Sequence, residues 1–547
     1  MRQKAGESMG TSMKHRFLWG LLIFAVVFAA ELAFGIYVTV VKQFAHNDAL
    51  SRVANAFYAL YSRDPHLGMI GFDRNPLPSL LELGPLLFWP YIPEMATAGL
   101  ASNIVTAVFA AGAAVLLFQH ARKSLEHTGL SLTLVGLYTF HPFIFVYGAN
   151  GMSEAMFFFF IMWIVIMFVK WLKEDHSIYP IGIGLALAAA FWIRYESVAF
   201  GVGLALAVMA VMLEHKVRNS DLSLPDPVPE RVRKLEATLI VMITPVIFSG
   251  MAWIILNAVI MGDPLYFFRS GYSNLAFSGN ITEEFRRQLE TPLGALWIVL
   301  RKSFFFGLPL AVILLIRLLN GRWRRWDTLA LLAFCVSIPA MQFVMLLNGS
   351  SFGWLRFFVY PFVIAVAWIP YELSMLGRER YFYPAAAALC LSILMSALVV
   401  LDMNNREFSP DEYELFHIRE SDTYRDVSIA REVAAYTNDL VRKAAPGKEP
   451  LFLTDSHRAY AVLLNSHFPR QWVITNDRDF ADILEDPYAY GVDYILVNKK
   501  IEATLQVIHG TYPELFDHGT FWTELEKDFY GEWKLYRVTG STTALPS

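Results

Sequence analysis

Apolar residues dominate the sequence from Phe17 to Leu401, where long hydrophobic runs are separated by short polar turns. A helix needs about 20 apolar residues to cross a bilayer, and windows of that length predict about eleven membrane-spanning helices. They lie at 17–41, 97–119, 130–148, 154–172, 178–194, 197–213, 237–260, 303–318, 327–347, 354–373 and 382–401. The first run is too long for a cleaved signal sequence, so we expect it to remain as the first helix.

The pattern changes after Leu401 to that of a water-soluble α/β domain. An amphipathic stretch over 427–445 predicts a helix. Short runs rich in β-branched and aromatic residues then predict strands. These runs lie at 451–454, 472–475, 494–497 and 533–538. The sequence therefore predicts a transmembrane domain over 1–402 and a soluble α/β domain over 403–547.

The composition excludes an ordinary soluble protein. Of 547 residues, 55% are hydrophobic and only 17% are charged, which indicates a polytopic membrane protein. The formal net charge of −4 hides a segregation of charge by position, so it indicates little about partners. We expect no nucleic-acid partner. Cys335 and Cys390 both lie in apolar runs, which leaves no disulfide framework and no cysteine metal site.

Basic residues occur in every second loop between the predicted spans. After the N-terminal Arg2, Lys4, Lys14 and Arg16, they recur at 122–123, 170–173, 216–234, 322–325 and 378–380. Loops rich in Lys and Arg usually face the cytoplasm. We therefore predict a cytoplasmic N-terminus, and an extracytoplasmic position for the first outer loop (42–96) and for the C-terminal domain. A bacterial plasma membrane is the expected setting, and an archaeal membrane or a eukaryotic endoplasmic reticulum would follow the same charge rule.

Two polar residues, Asn47 and Asp48, follow the first span on this outer face. The apolar positions after them keep helical spacing, which predicts an amphipathic helix over 49–62 at the membrane surface. In one interpretation Asn47 or Asp48 only caps this helix. In the other, Asp48 is a catalytic carboxylate that accepts a proton from an attacking hydroxyl group.

The rest of the first outer loop, residues 62–93, is apolar and interrupted by prolines. Such a segment lies at the membrane interface or lines a cavity. His66, Asp73 and Arg74 are polar members of it. Each could be a solvated loop residue or could bind a ligand.

Charged residues also mark the ends of later spans on the outer face. Glu154 begins a span, and Arg194 and Glu196 lie between two spans with almost no loop. Glu154 could cap its helix, and the charged side chains at these span ends could extend into the aqueous interface. Alternatively, these residues could bind a substrate. Arg356 lies just inside the outer end of another span, where a buried arginine needs an anionic partner from the protein or from a ligand.

The outer loop after Met261 combines aromatic rings with a cation, in Tyr266, Arg269 and Tyr272. Interfacial aromatic residues are common in membrane proteins, but rings beside a guanidinium also suit a lipid-linked phosphate. Glu31, near the middle of the first span, is expected to make a structural hydrogen bond. The sequence has no HExxH, CxxC, P-loop or Rossmann motif, so we assign no residue as a metal ligand. A divalent cation as cofactor stays an open alternative.

The order of these features resembles the GT-C class of membrane glycosyltransferases, and within it the protein O-mannosyltransferases and lipid A aminoarabinose transferases. The resemblance covers residues 17–400 and is architectural. It implies a donor sugar on polyprenyl phosphate and a first-loop acid that binds or deprotonates the acceptor. Asp48 matches the second position of the family's Asp-Glu pair, with Asn47 in place of the first acid. Glu154 resembles a second acidic site, and Arg356 resembles an arginine that contacts the donor phosphate.

We therefore predict an inverting glycosyltransferase that moves a sugar from polyprenyl phosphate to a hydroxyl group of a protein, lipid or glycan. Asp48 would be the base, Glu154 would contact a sugar, and Arg356 with Arg269 or Arg194 would hold the phosphate. Two alternatives stay open. One is a transporter or flippase for a lipid-linked or anionic solute, although such proteins usually show internal repeats and broken midplane helices. The other is a scaffold whose C-terminal domain binds a cell-envelope polymer.

Overall fold

Seven helices of the computed structural model are each long and apolar enough to cross a membrane. The structure describes residues 2–213, 228–271, 273, 283–289, 291–376, 381–500 and 505–542, and this count covers those residues. The seven are Phe17–Val41, Leu100–Leu125, Glu154–Glu174, Arg231–Met261, Trp326–Leu347, Leu355–Leu376 and Phe382–Met403. The chain is an integral membrane protein with a small C-terminal sheet, as the sequence predicts.

The other predicted spans are helical but are not single long helices. Thr128–Thr139 with Pro142–Ala149, and Pro292–Ser303 with Leu308–Leu319, form pairs bent by 67° and 87°. Each second helix has a proline in its first turn, where the missing N–H breaks the hydrogen-bond ladder of a continuous helix. Ile178–Phe191 and Glu196–Leu213 are shorter apolar helices. The described spans thus number seven, or nine if each bent pair crosses as one span.

The contacts within the chain define two compact units. The first consists of Met1–Phe34, Thr106–Ile254 and Ile281–Tyr413, and the second of Gly35–Val105, Ile255–Asn280 and Glu414–Ser547. The first outer loop and the C-terminal domain therefore belong to one unit, although nearly the whole membrane sequence lies between them. The predicted domain boundary at residue 402 stays a prediction.

A buried ion network connects three helices of the first unit. Arg317 is fully buried, and its Nη2 lies 2.6 Å from Glu372 Oε2 while its Nη1 lies 3.0 Å from Asp327 Oδ1. The helices involved are Leu308–Leu319, Trp326–Leu347 and Tyr360–Leu376. Because a buried charge without a partner is strongly destabilising, this network fixes how the three helices pack. The remaining short helices of this unit are Glu283–Gln288, the 3₁₀ turn Leu355–Phe358, Val399–Met403 and Pro410–Phe416.

The second unit contains a five-stranded sheet with the order β2-β1-β3-β5-β4. Its strands are β1 (Phe452–Thr454), β2 (Trp472–Ile474), β3 (Tyr494–Asn498), β4 (Thr523–Phe529) and β5 (Trp533–Val538). β1 is parallel to both β2 and β3, β5 is antiparallel to β3, and β4 is antiparallel to β5. Four strands match the prediction. The sequence missed β4 because it reads TELEKDF and is mostly exposed at the sheet edge, where charged residues are common.

Helices of the second unit cover the sheet and form the first outer loop. They are Asn47–Tyr61, Leu77–Leu86, Glu94–Thr97, Tyr266–Arg269, Asp422–Lys443, Ser456–Leu464, Phe480–Glu485, Val507–Thr511 and Leu515–His518, with 3₁₀ turns at Leu67–Ile70, Ile418–Glu420 and Pro469–Gln471. The predicted amphipathic stretch over 427–445 lies in Asp422–Lys443.

The amphipathic helix of the first outer loop corrects one prediction. Asn47–Tyr61 was expected to lie on the membrane surface, yet its residues Val53 and Phe57 are fully buried. They belong to the same apolar core as Val433 and Val462 of the C-terminal domain, and Asn47–Tyr61 packs against Ser456–Leu464. Its apolar face is therefore covered by protein instead of lipid.

Candidate active site

A cavity of about 430 Å³ lies within the second unit. Its wall comes from the helix Asn47–Tyr61, from the turn around Gly71, from the chain at 260–266 and from the strand-to-helix connections after β1 and β2. Six residues singled out from the sequence line it together: Asn47, Asp48, His66, Asp73, Arg74 and Tyr266. This volume is within the range of about 300–1,000 Å³ that is usual for small-molecule sites.

Asp48 is held at this cavity by a cation from its own loop. Its Oδ1 accepts a hydrogen bond from Arg74 Nη1 at 3.3 Å, and Arg74 Nε lies 3.6 Å from Asp73 Oδ2. Burial raises the pKa of the Asp73 carboxyl, while Arg74 acts against that shift. The N-cap of the helix is His46, so the interpretation of Asn47 or Asp48 as the cap is wrong.

Asn47 and His66 have structural partners as well as cavity positions. The Asn47 side-chain oxygen accepts a hydrogen bond from the Tyr460 hydroxyl at 3.0 Å, which attaches the first loop to the C-terminal domain. His66 Nδ1 accepts from the Gly68 amide at 3.1 Å and so caps the 3₁₀ turn Leu67–Ile70. Because its side chain is engaged in this contact, His66 is not simply a solvated loop residue.

The C-terminal domain supplies the opposite wall of the cavity. Its lining residues are Ser456, His457, Arg458, Tyr460, Thr475, Asn476 and Arg478. Asp455 caps the helix Ser456–Leu464 by accepting a hydrogen bond from the His457 amide at 3.0 Å. Burial, together with the charges of Arg74 and Arg458, lowers the pKa of His457 to about 4. His457 is therefore a neutral imidazole at physiological pH.

Four other predicted residues form a separate charged cluster in the first unit. Arg194 donates to Glu154, and its Nη2 lies 2.5 Å from Glu196 Oε1. Arg356 Nε lies 3.5 Å from the same Glu154 oxygen. Glu154 is fully buried and the Arg194 side chain is only 11% exposed. Ser153 is the N-cap of the helix Glu154–Glu174, so the interpretation of Glu154 as a helix cap is wrong. Arg194 is buried among carboxylates, so the interpretation that its side chain extends into solvent is wrong as well.

Two acidic residues that the sequence analysis overlooked complete this cluster. Arg356 Nη1 lies 2.5 Å from Asp411 Oδ2, and Glu412 accepts a hydrogen bond from Tyr147 at 2.6 Å. Burial, with Asp411 as a second cause, raises the pKa of Glu412. The Arg356 guanidinium also stacks on Trp354, 4.0 Å from the ring centroid. The sequence signal for Asp411 and Glu412 is the acidic pair in SPDEYELF, just after the last span.

The structure does not bring every predicted residue into these two groups. Arg269 is 67% exposed, with its Nη1 3.4 Å from Asp263 Oδ1, and it does not line the cavity. Tyr272 lies outside the described residues. Glu31 is fully buried, but neither carboxylate oxygen has a hydrogen-bond partner among the described residues, which corrects the expected structural hydrogen bond. In the same part of the chain no three His, Cys, Asp or Glu side chains form a candidate metal site.

The fold is similar to that of ArnT from Cupriavidus metallidurans, which was crystallised with undecaprenyl phosphate. It aligns with a TM-score of 0.51 over 97% of this chain and 99% of that chain, at 12% sequence identity. No family model and no curated protein matches the sequence. The likeness therefore establishes the architecture, and it agrees with the resemblance that the sequence itself presents.

Proposed function

We propose that this protein is a glycosyltransferase that uses a sugar linked to polyprenyl phosphate as its donor and a hydroxyl group as its acceptor. The observation that carries the proposal is a carboxylate, Asp48, held by Arg74 at a cavity of about 430 Å³. The fold supports it, because a protein of the same architecture has been solved with undecaprenyl phosphate. The proposed reaction takes place on the extracytoplasmic face of a bacterial plasma membrane.

In the proposed reaction the protein positions the two substrates and removes a proton from the acceptor hydroxyl group. The acceptor oxygen attacks the anomeric carbon, a new C–O bond forms, and the bond from that carbon to the phosphate oxygen breaks. Asp48 takes the proton of the hydroxyl group, and the phosphate leaves with the bonding electron pair. Direct displacement inverts the anomeric centre. General-base assistance of this kind typically contributes about 10²- to 10⁴-fold to the rate.

The leaving phosphate needs cations, because charge accumulates on its oxygens as the bond breaks. Arg356 is the principal candidate for the cation that binds the phosphate, and Arg194 or Arg269 is the candidate for a second. Arg356 is a buried guanidinium stacked on Trp354, and such planar groups suit phosphate oxygens. Asp411 and Glu154 already balance its charge, so a phosphate would have to take the place of a carboxylate there. Glu154, which pairs with Arg194 and Arg356 in this cluster, is proposed to contact the acceptor or the donor sugar.

The experiment is to incubate the purified full-length protein with polyprenyl phosphate sugars and candidate acceptors, and to measure free polyprenyl phosphate. We expect release from at least one donor, and a decrease of about 10²- to 10⁴-fold for Asp48→Asn. Glu94→Gln is the matched control, since Glu94 is an exposed carboxylate of the same loop.

A transporter or a scaffold would bind the lipid without releasing free polyprenyl phosphate. Binding without release from any donor would therefore favour those alternatives. An Asp48→Asn protein that is as active as the wild type would remove Asp48 from the chemistry. Both variants are compared by thermal unfolding, so that a loss of folding is not mistaken for a loss of catalysis.

A further inference from the structure

Arg458 is a cation of the cavity wall that the proposed chemistry does not use. Its side chain lines the cavity from the third position of the helix Ser456–Leu464. Among the described residues no ion pair or hydrogen bond engages its guanidinium group, and Nε is buried without a partner. Asp426 and Asp455 interact with its charge only at longer range. A guanidinium in this position has its donors available for a ligand.

The other cations of the cavity wall are already balanced. Arg74 lies 3.3 Å from Asp48 Oδ1 and 3.6 Å from Asp73 Oδ2. Arg478 Nη1 lies 3.4 Å from Asp64 Oδ1. The balance leaves Arg458 as the excess positive charge among the described lining residues.

Tyr58 provides an independent sign of a ligand in the same cavity. It lines the cavity from the facing helix Asn47–Tyr61 and is only 3% exposed, yet its hydroxyl has no hydrogen-bond partner among the described residues. A buried hydroxyl without a partner is unfavourable, by about 1–3 kcal/mol in mutational data. An oxyanion could accept hydrogen bonds from both Tyr58 and Arg458.

We infer that the acceptor carries an acidic group, a phosphate or a carboxylate, and that Arg458 and Tyr58 bind this group while the acceptor hydroxyl meets Asp48. This inference rests on the proposed function and narrows its acceptor to an anionic class. The cavity, at about 430 Å³, has room for a monosaccharide-sized ligand. The C-terminal domain then selects the acceptor, and the first outer loop performs the chemistry.

A binding experiment tests the inference without relying on transfer. The full-length protein is titrated with glucose 6-phosphate, glucuronate and glucose in the absence of donor, and affinities are measured by calorimetry. We expect at least one of the two anionic sugars to bind about tenfold or more tightly than glucose, because charge-assisted hydrogen bonds are the stronger kind. Arg458→Gln should remove most of that preference, Tyr58→Phe should weaken it, and Arg458→Lys should retain part of it.

The matched control is Arg470→Gln, because Arg470 is an exposed arginine of the same domain that does not line the cavity. It should bind the probes as the wild type does. Equal affinity for glucose and both anionic sugars, an unchanged preference in Arg458→Gln, or an equal loss in Arg470→Gln would each overturn the inference.

A transfer assay separates this inference from the proposed function. If transfer occurs, anionic acceptors should support faster release of polyprenyl phosphate than neutral ones in the wild type, and Arg458→Gln should reduce this advantage. If no donor is turned over but the anion preference persists and depends on Arg458, the anion site stands and the proposed reaction fails. If transfer occurs equally well with neutral and anionic acceptors, the reaction stands and the anion site fails.

Discussion

The guanidinium of Arg74 lies 3.3 Å from the carboxylate of Asp48, although 26 positions separate the two residues. The contact joins the two ends of the polar part of the first outer loop across the cavity wall. It gives the proposed base a defined orientation, and placing reacting groups to within about 1 Å strongly affects enzymatic rates.

Arg74→Gln should therefore reduce turnover more than it reduces substrate binding. We expect kcat to fall by about 10- to 100-fold, since a carboxylate that is displaced by about 1 Å can lose this much. Arg74→Lys should keep part of the activity because one charged donor remains. The measurement is steady-state release of polyprenyl phosphate, and wild-type kcat in Arg74→Gln would show that Asp48 needs no such anchor.

The cluster around Arg194 should contribute to stability. Arg194→Met leaves the buried Glu154 and Glu196 with less opposite charge, and breaking a buried pair typically costs about 3–5 kcal/mol. Adding Glu154→Gln should recover part of the loss, because it removes one of the carboxylates left behind. Thermal unfolding of the detergent-solubilised variants measures both effects.

An exposed ion pair of the same unit provides the control for Arg194. Lys123 and Glu174 pair at 2.7 Å with side chains 58% and 41% exposed, and Lys123→Met should cost less than about 1 kcal/mol. If Arg194→Met is no more destabilising than Lys123→Met, the buried cluster is not a stabilising element.

His457 should make the protein less stable at mildly acidic pH. Its pKa is lowered from 6.5 to about 4 in the folded protein, mainly by burial. Between these values the unfolded chain binds a proton that the folded chain does not, so stability is lost as the pH falls from about 6.5 towards 4. The shift corresponds to at most about 3 kcal/mol. His457→Gln should show a smaller drop in unfolding temperature between pH 7 and pH 4.5, and an equal drop would exclude His457 as its cause.

Gly71 should be required for the shape of the cavity wall. It lines the cavity with φ = +86°, and a Cβ atom there would lie 2.4 Å from Asn55 Nδ2. Gly71→Ala should therefore lower the free energy of unfolding for two reasons, the strained positive φ and the displacement of Asn55. Gly447→Ala is the matched control, because Gly447 has φ = +79° but nothing within 4 Å of a Cβ atom, and it should lose only about 1–2 kcal/mol.

Chemical denaturation of both glycine variants measures this difference. A larger loss for Gly71→Ala, together with weaker sugar binding, is the expected result. Equal losses with unchanged binding would show that the wall near Asn55 adapts to an added methyl group.

The local elements were largely predictable because their signals are local. The apolar run Phe17–Val41 is one span in the structure, and four of the five strands follow from short buried runs. The misses have different physical causes. β4 takes its place from pairing with β5, and the bent helix pairs depend on where a proline falls within an otherwise uniform apolar run.

The candidate site was predictable only in part. Asn47 and Asp48 could be found because they directly precede a predicted amphipathic helix after the first span, and Arg74 because it is one of few polar residues in an apolar loop segment. Arg458 and Tyr58 could not, because an arginine or a tyrosine in an amphipathic helix of a soluble domain is ordinary until its neighbours are known. Hydrogen-bond partners decide whether such a group is satisfied, and partners come from distant parts of the chain.

The sequence by itself determined that this chain enters a membrane, where its apolar segments lie, and that a small α/β domain follows them, because hydrophobic length and periodicity act within about 20 residues. Only the tertiary structure decided which polar residues meet. It placed Asp48 in one cavity with Arg458, 410 positions away in the chain, and it placed Glu154 in a different cluster with Arg194 and Arg356. The physical reason is that charge interactions act across space at a few ångströms, and the order of residues along the chain does not specify those distances.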